Sequence, residues 1–144
     1  MSKNPRRILI TKFEMVSNQI AVVNVYVPAG PQEKISFFDE LACAIKDIKV
    51  DYILVCGDFI CVLKNDLDII SGEKHDEWVV LKFYDLLSDC DLHDTWRLFH
   101  PEGKAYTWCK RNPFVARRLD YILTNSMCFD RSQRMFCFSQ LCRD

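Results

Sequence analysis

The chain has 144 residues, 49% of them hydrophobic, and a formal net charge of −1; this is enough apolar material for one domain with its own core, and it excludes binding driven by bulk charge alone. No apolar run approaches the ~20 residues of a membrane helix. The eight cysteines form no C-x-x-C pair, follow no signal peptide, and several (Cys43, Cys56, Cys61) lie inside apolar runs, so reduced thiols in an intracellular protein, nuclear or cytoplasmic, are expected rather than a disulfide framework.

Taken in chain order, Arg7–Met15 and Ile20–Val27 are β-rich runs separated by Val16-Ser17-Asn18-Gln19, which predicts a hairpin. Pro28 and Pro31 close the second run. Ile35, Phe38, Leu41, Ala42, Ile45 and Ile48 then fall on one helical face, and Tyr52–Cys56 reads as a buried strand, completing a strand–helix–strand unit. Cys61–Glu73 reads as an irregular loop. Asp76 is a candidate cap for a helix to about Cys90 with Leu81, Tyr84 and Leu86/Leu87 inward. Asp91–Lys104 carries turn chemistry, Tyr106–Lys110 and Arg118–Thr124 read as strands joined by a loop holding Asn112-Pro113, and Phe136–Phe138 begins a last strand. Nothing marks a linker or repeat, so residues 1–144 are read as a single domain.

Charge is unevenly spread. Residues 1–95 hold 10 Lys/Arg against 16 Asp/Glu, and residues 96–144 hold 9 against 4. Between Arg97 and Arg118 the cations Arg97, Lys104, Lys110, Arg111, Arg117 and Arg118 interleave with Trp96, Phe99, Tyr106, Trp108 and Phe114. Cations that neutralise phosphates beside aromatic faces that stack on bases suit a nucleic acid; the alternative is a solvated surface over ordinary core aromatics, Trp96 and Phe99 first among them. The histidines His75, His93 and His100 lack zinc-ligand spacing, so no structural zinc is expected.

Gly57-Asp58-Phe59 closes the strand Tyr52–Cys56 and delivers a carboxylate to the edge of a sheet, where a cation or hydrogen-bond donors must meet it. Its companions are Asn24-Val25-Tyr26-Val27-Pro28, Leu92-His93-Asp94-Thr95-Trp96-Arg97, His100-Pro101, Tyr106-Thr107-Trp108 and Arg118-Leu119-Asp120-Tyr121-Ile122. In this order the segments resemble the endonuclease/exonuclease/phosphatase superfamily, and look most like the endonuclease domain of non-LTR (LINE-type) retrotransposon polyproteins, which accompanies a reverse transcriptase.

The resemblance implies an α/β fold, a partial four-layer α/β sandwich of two packed mixed sheets with helices outside. It implies a Mg²⁺-dependent phosphodiester hydrolase acting on DNA. Asp58 would orient or deprotonate the attacking water, Tyr26 would contact the phosphate and Asp120 would polarise a histidine, although a strand-end ion pair with Arg117 or Arg118 also suits Asp120. Arg118, Trp108, Thr107, Arg97, Lys110 and Arg111 would line the nucleic-acid groove. Asp68 stands where the family often places another acid.

The sequence departs from the pattern in three ways. The family's upstream strands with an Asn and a metal-binding Glu have no counterpart, Ile60 replaces the Asn of Gly-Asp-Phe-Asn, and Ser139-Gln140-Leu141 stands near the closing Ser-Asp-His. The expectation is therefore an impaired enzyme, truncated at both ends, or an inactive nucleic-acid-binding remnant that self-associates through an exposed sheet edge. The motifs further predict that Tyr26, Asp58 and Asp120 converge, that Trp108 and Arg118 reach the rim, and that one of two close carboxylates resists ionisation.

Overall fold

The computed structural model describes residues 7–15 and 17–129. It is a mixed α/β structure with one five-stranded and one three-stranded sheet. The first hairpin pairs β1 (Ile8–Met15) with β2 (Asn18–Tyr26), antiparallel and in register from Ile8↔Val25 to Met15↔Asn18. Helix α1 (Pro31–Lys46) starts on Pro31, whose fixed φ suits the first helical position, and carries the chain back so that β3 (Tyr52–Asp58) lies parallel to β2.

Beyond β3 come the two-residue strand β4 (Ile69–Ile70) and α2 (Glu77–Asp89), capped by the Asp76 carboxylate accepting from the Trp78 N–H at 2.8 Å. Then follow β5 (Leu92–Asp94) and the short helix α3 (Thr95–Phe99), both inside a segment whose sequence shows only turn chemistry. The second hairpin joins β6 (Trp108–Arg111) to β7 (Phe114–Arg117), and β8 (Asp120–Asn125) leads into a 3-10 turn at Ser126–Phe129. The strand expected at Arg118–Thr124 is β8, while β7 occupies part of the stretch expected as a loop, and Arg118 and Leu119 step from one sheet to the other. The strand expected at Phe136–Phe138 lies outside the described residues.

The large sheet has the order β1-β2-β3-β8-β5, and the small one β4-β7-β6. Alternation sends Val23, Val25, Val27, Val55, Tyr121 and Leu123 to one face, where they meet Phe37, Phe38, Leu41 and Ile45 of α1 and Val79, Phe83 and Leu86 of α2. Phe59 and Phe83 stack with centroids 4.8 Å apart, and Tyr121 meets both edge-on. Two inward assignments are corrected here. Leu81 and Tyr84 are exposed, and Val79, Phe83 and Leu86 form the buried stripe of α2, because the packing arc of α1 selects residues one position away from the expected ones. On the opposite face of the sheet Leu9 (66% exposed), Phe13 and Ile122 face outward.

Gly57 decides how closely β2 and β3 approach. At φ +143° it sits where only glycine is at ease, and a Cβ there would lie 1.9 Å from the Val25 carbonyl oxygen. Gly57→Ala is expected to abolish cooperative thermal unfolding followed by circular dichroism; a folded variant with an unchanged melting temperature would refute this reading of the strand contact.

Candidate functional site

Three strands end together. Tyr26 is the last residue of β2, Asp58 the last of β3 and Asp120 the first of β8. The registers pair Tyr26 with Asp58 and Asp58 with Asp120. Side chains in one cross-strand row share a face of the sheet, and directly opposed residues lie about 4.5–5.5 Å apart at Cα. The Tyr26 ring is 54% exposed, Asp58 is half-buried and Asp120 is exposed. The three residues singled out from the sequence therefore stand side by side at one end of the large sheet.

Local hydrogen bonds hold this row in place. The Asp58 Oδ1 accepts from the Ile60 N–H at 2.9 Å, the Val27 N–H donates to the Asp58 carbonyl at 2.9 Å, and the Phe59 N–H donates to the Leu119 carbonyl at 2.8 Å. Across the row, the Thr107 Oγ1 accepts from the N–H groups of Leu119 (3.0 Å) and Asp120 (3.2 Å). Thr107 thus fixes the entry to β8, its hydroxyl oxygen accepting from the backbone that carries Asp120.

Ile60 sits beside Asp58, with φ at +46°. For an L-residue the left-handed region costs about 1–2 kcal/mol, and it is least suited to a β-branched side chain. Asn, the residue of the resembled motif, tolerates it well. Ile60's carbonyl accepts from the Lys34 Nζ at 2.5 Å. Lys34, 5% exposed and placed in the first turns of α1, escapes a reading by motif. The available signal is a charged residue three and four positions before Phe37 and Phe38, inside the apolar arc of the helix.

Ionisation follows from these surroundings. Burial raises the Asp58 pKa above the ordinary carboxylate value, the Ile60 N–H opposes the rise, the Asp120 charge adds to it and Lys34 counters it. One carboxylate of the pair does resist ionisation, as expected, with desolvation the larger cause and the like charge a smaller one. Lys34 in turn is pulled below the ordinary lysine value, chiefly by burial. His75 is pushed down to about 4 by burial and by the positive charges of Lys34 and Arg117.

Two of the residues expected in a nucleic-acid groove are elsewhere. Arg118 is 3% exposed; it grips Asp68 through Nε (2.8 Å) and a terminal nitrogen (3.1 Å), and Asp94 through both terminal nitrogens (3.1 and 2.6 Å). Its guanidinium lies 4.4 Å from the Tyr121 ring centroid and 5.2 Å from that of Trp96. Arg97 pairs with the same Asp68 at 2.5 Å and donates to the carbonyls of His100, Pro101 and Gly103. The correction has a simple cause: fully buried Asp68 needs cationic donors, and the guanidinium nitrogens committed to it and to Asp94 are not free for a phosphate. Asp68 is accordingly an internal anchor.

Of the cations expected in the groove, Lys110 and Arg111 are exposed, both on the β6–β7 hairpin. Trp108, Lys110 and Arg111 are exposed along β6, with Phe114 exposed across from Arg111. Trp96, by contrast, is half-buried, stacks on His100 and lies under the Arg97 and Arg118 guanidinium groups, while Phe99 is exposed; neither belongs to the hydrophobic core.

The donor set at the strand ends is all oxygen: the Tyr26 hydroxyl and two carboxylates. That chemistry fits Mg²⁺, which is commonly held by one or two carboxylates together with water and phosphate oxygens. Among the described residues no cluster of three or more His, Cys, Asp or Glu side chains is arranged to hold a metal ion, and no helix is long and apolar enough to cross a membrane.

No model of a known protein family matches the chain. It is 28% identical over 132 residues to the uncharacterized 149 kDa protein of transposon TX1 from Xenopus laevis; the match takes in 90% of this chain and 10% of that protein. Among solved structures it resembles the AP endonuclease LMAP of Leishmania major (TM-score 0.66, 20% identity, 84% of this chain and 46% of that one). It also resembles the 3′ phosphatase NExo from Neisseria bound to a product DNA hairpin (0.64, 24%, 85% and 54%) and the catalytic domain of Xenopus laevis APE2 (0.66, 22%, 83% and 46%). The chain thus has the endonuclease/exonuclease/phosphatase fold, and it spans about half the length of these structures and a tenth of the transposon protein.

Two outcomes follow from the charges at this end of the molecule. Arg118→Ala is expected to destabilise the fold by about 3–5 kcal/mol in chemical denaturation, since it removes the buried cation shared by Asp68 and Asp94 and leaves Asp68 to Arg97 alone; a variant of native stability with weakened oligonucleotide binding would restore Arg118 to the groove. His75 is protonated near 6.5 when unfolded but only near 4 when folded, so its contribution is present above pH 6.5 and is lost as the pH falls from about 6.5 to 4. The loss of stability over that window, read from denaturation midpoints, should shrink in His75→Gln.

Proposed function

We propose that the chain is a nuclease-family domain of a transposon protein that binds a nucleic-acid backbone and presents Asp58 and Asp120 to a phosphodiester, with hydrolysis slow in this chain. The observation that carries the proposal is the row Tyr26–Asp58–Asp120, assembled from the ends of three strands by register. Two carboxylates and a phenol at one sheet end have no packing reason to align, and Asp58 sits there despite a raised pKa.

In this reading Asp58 and Asp120 would hold a Mg²⁺ ion, which when bound supplies positive charge to the non-bridging oxygens. Asp58 orients the attacking water and takes its proton as the bond from phosphorus to the leaving oxygen breaks. The Tyr26 hydroxyl, on the exposed end of the row, donates to a phosphate oxygen. Lys110 and Arg111 neutralise flanking phosphates, and Trp108 offers a face for stacking. Thr107 positions Asp120 by accepting from the backbone of β8, and its hydroxyl proton is left to donate to a phosphate oxygen.

Ile60 favours slow turnover. Its backbone N–H serves Asp58, but its side chain places no polar group beside the phosphate where the resembled motif has an Asn amide. Loss of one group from a site that acts as a unit commonly lowers the rate by orders of magnitude.

Plasmid nicking with Mg²⁺, and with EDTA as control, tests turnover. Cleavage at background is expected, and robust nicking abolished by Asp58→Ala would overturn the slow-turnover part. Oligonucleotide binding against salt tests the rest. A steep salt dependence is expected, and in Lys110→Ala/Arg111→Ala the log–log slope should flatten by about 2 for duplex DNA; a chain that shows no salt-dependent binding would refute the proposal.

A further inference from the structure

Lys34 combines three features that each disfavour a lysine. It is buried to 5% exposure, it lies within the first turns of α1, where the helix dipole favours acids, and it has no ion-pair partner within 4 Å among the described residues. Its ammonium donates to the carbonyl of Ile60 at 2.5 Å. That carbonyl belongs to the one residue at the end of β3 whose backbone is left-handed without being glycine, and the N–H of the same residue holds the Asp58 Oδ1 at 2.9 Å.

From this geometry we infer that Lys34 is a positioning residue for Asp58: its ammonium clamps Ile60 in the left-handed turn, so that the Ile60 N–H keeps its hold on the carboxylate. The inference rests on the reading of Asp58 as a site residue, and it accounts for how a β-branched side chain occupies a turn position suited to Asn or Gly. A charge-assisted bond to the carbonyl orients the peptide unit after Ile60, while the N–H before it stays on Asp58. Between them the two bonds fix both sides of the residue. Without the clamp, Ile60 relaxes toward φ below zero, its N–H turns away, and the Asp58 side chain is released to other rotamers. The burial that makes Lys34 costly also makes the contact strong, since water is excluded from it.

The test is a double-mutant cycle read by hydrogen exchange at the position-60 amide, a measurement that needs neither metal nor nucleic acid. Lys34→Met keeps most of the stem and removes the ammonium. The amide should exchange at least tenfold faster in Lys34→Met, with the amides of β2 and β3 at Val23 and Val55 unchanged, and Lys34→Arg should restore most of the protection. In an Ile60→Gly background, where the left-handed turn is intrinsically accessible, the same Lys34→Met change should alter exchange less than twofold. An equal effect in both backgrounds, or no effect in either, overturns the inference and assigns Lys34 to packing alone. If Lys34→Met does not fold, recovery of the fold in Lys34→Met/Ile60→Gly supports the clamp, and its absence overturns it. Should the cycle succeed while the wild-type chain shows no salt-dependent oligonucleotide binding, the clamp stands and the proposed function falls.

Discussion

The buried Arg118 guanidinium, held between Asp68 and Asp94, is the interaction on which the site end of the molecule depends. Asp68 closes the loop that follows β3, Asp94 ends β5 and caps α3 by accepting from the Arg97 N–H at 3.2 Å, and Arg118 itself links β7 to β8. One planar cation therefore ties together, through side chains, three stretches that the β4–β7 and β5–β8 pairings bring side by side. Its net contribution to stability is modest, because desolvation offsets most of the attraction, but removal of one member leaves a buried charge with half of its partners. Tyr121, stacked beneath it and hydrogen-bonded to the Leu63 N–H and the Cys61 carbonyl, ties the same knot to the aromatic core.

From that anchor the geometry of the strand ends follows. With β8 set by Arg118 on one side and Thr107 on the other, Asp120 falls opposite Asp58, and Gly57 lets β2 come close enough for Tyr26 to complete the row. The arrangement works against stability at each member. Two carboxylates face each other, one of them partly desolvated, the next residue is left-handed, and a lysine is buried to hold it. Local rules of propensity and polarity broken together at one sheet end mark a place where something other than packing has been selected.

Much of this was legible in the residues. The β1–β2 hairpin, α1, β3 and α2 show plainly because alternation and the 3.6-residue period report which side of an element is buried, and Asp76 is a cap by residue type. Asp58 could be singled out because it closes an apolar run with a carboxylate, and Tyr26 and Asp120 because their motifs resemble those of a known superfamily. β5 and α3 were not legible, since three and five residues are too short for periodicity to speak and their polar ends serve the Asp94–Arg118 contact. Leu81 and Tyr84 were misplaced for a related reason: an apolar residue on a helix can face outward, and only the packing partner selects the arc.

The sequence by itself determined the longer elements, β1, β2, α1, β3 and α2, because their identity depends on the pattern of side chains a few residues apart. Tertiary structure alone decided which charges meet. An arginine in a motif looks the same whether it faces a phosphate or a buried carboxylate, and the choice depends on where Asp68 and Asp94 arrive from elsewhere in the chain. The same holds for Lys34, whose role exists only because folding brings the start of α1 against the turn after β3. Charge pairing across long separations carries no periodic signal, so it is written in the fold.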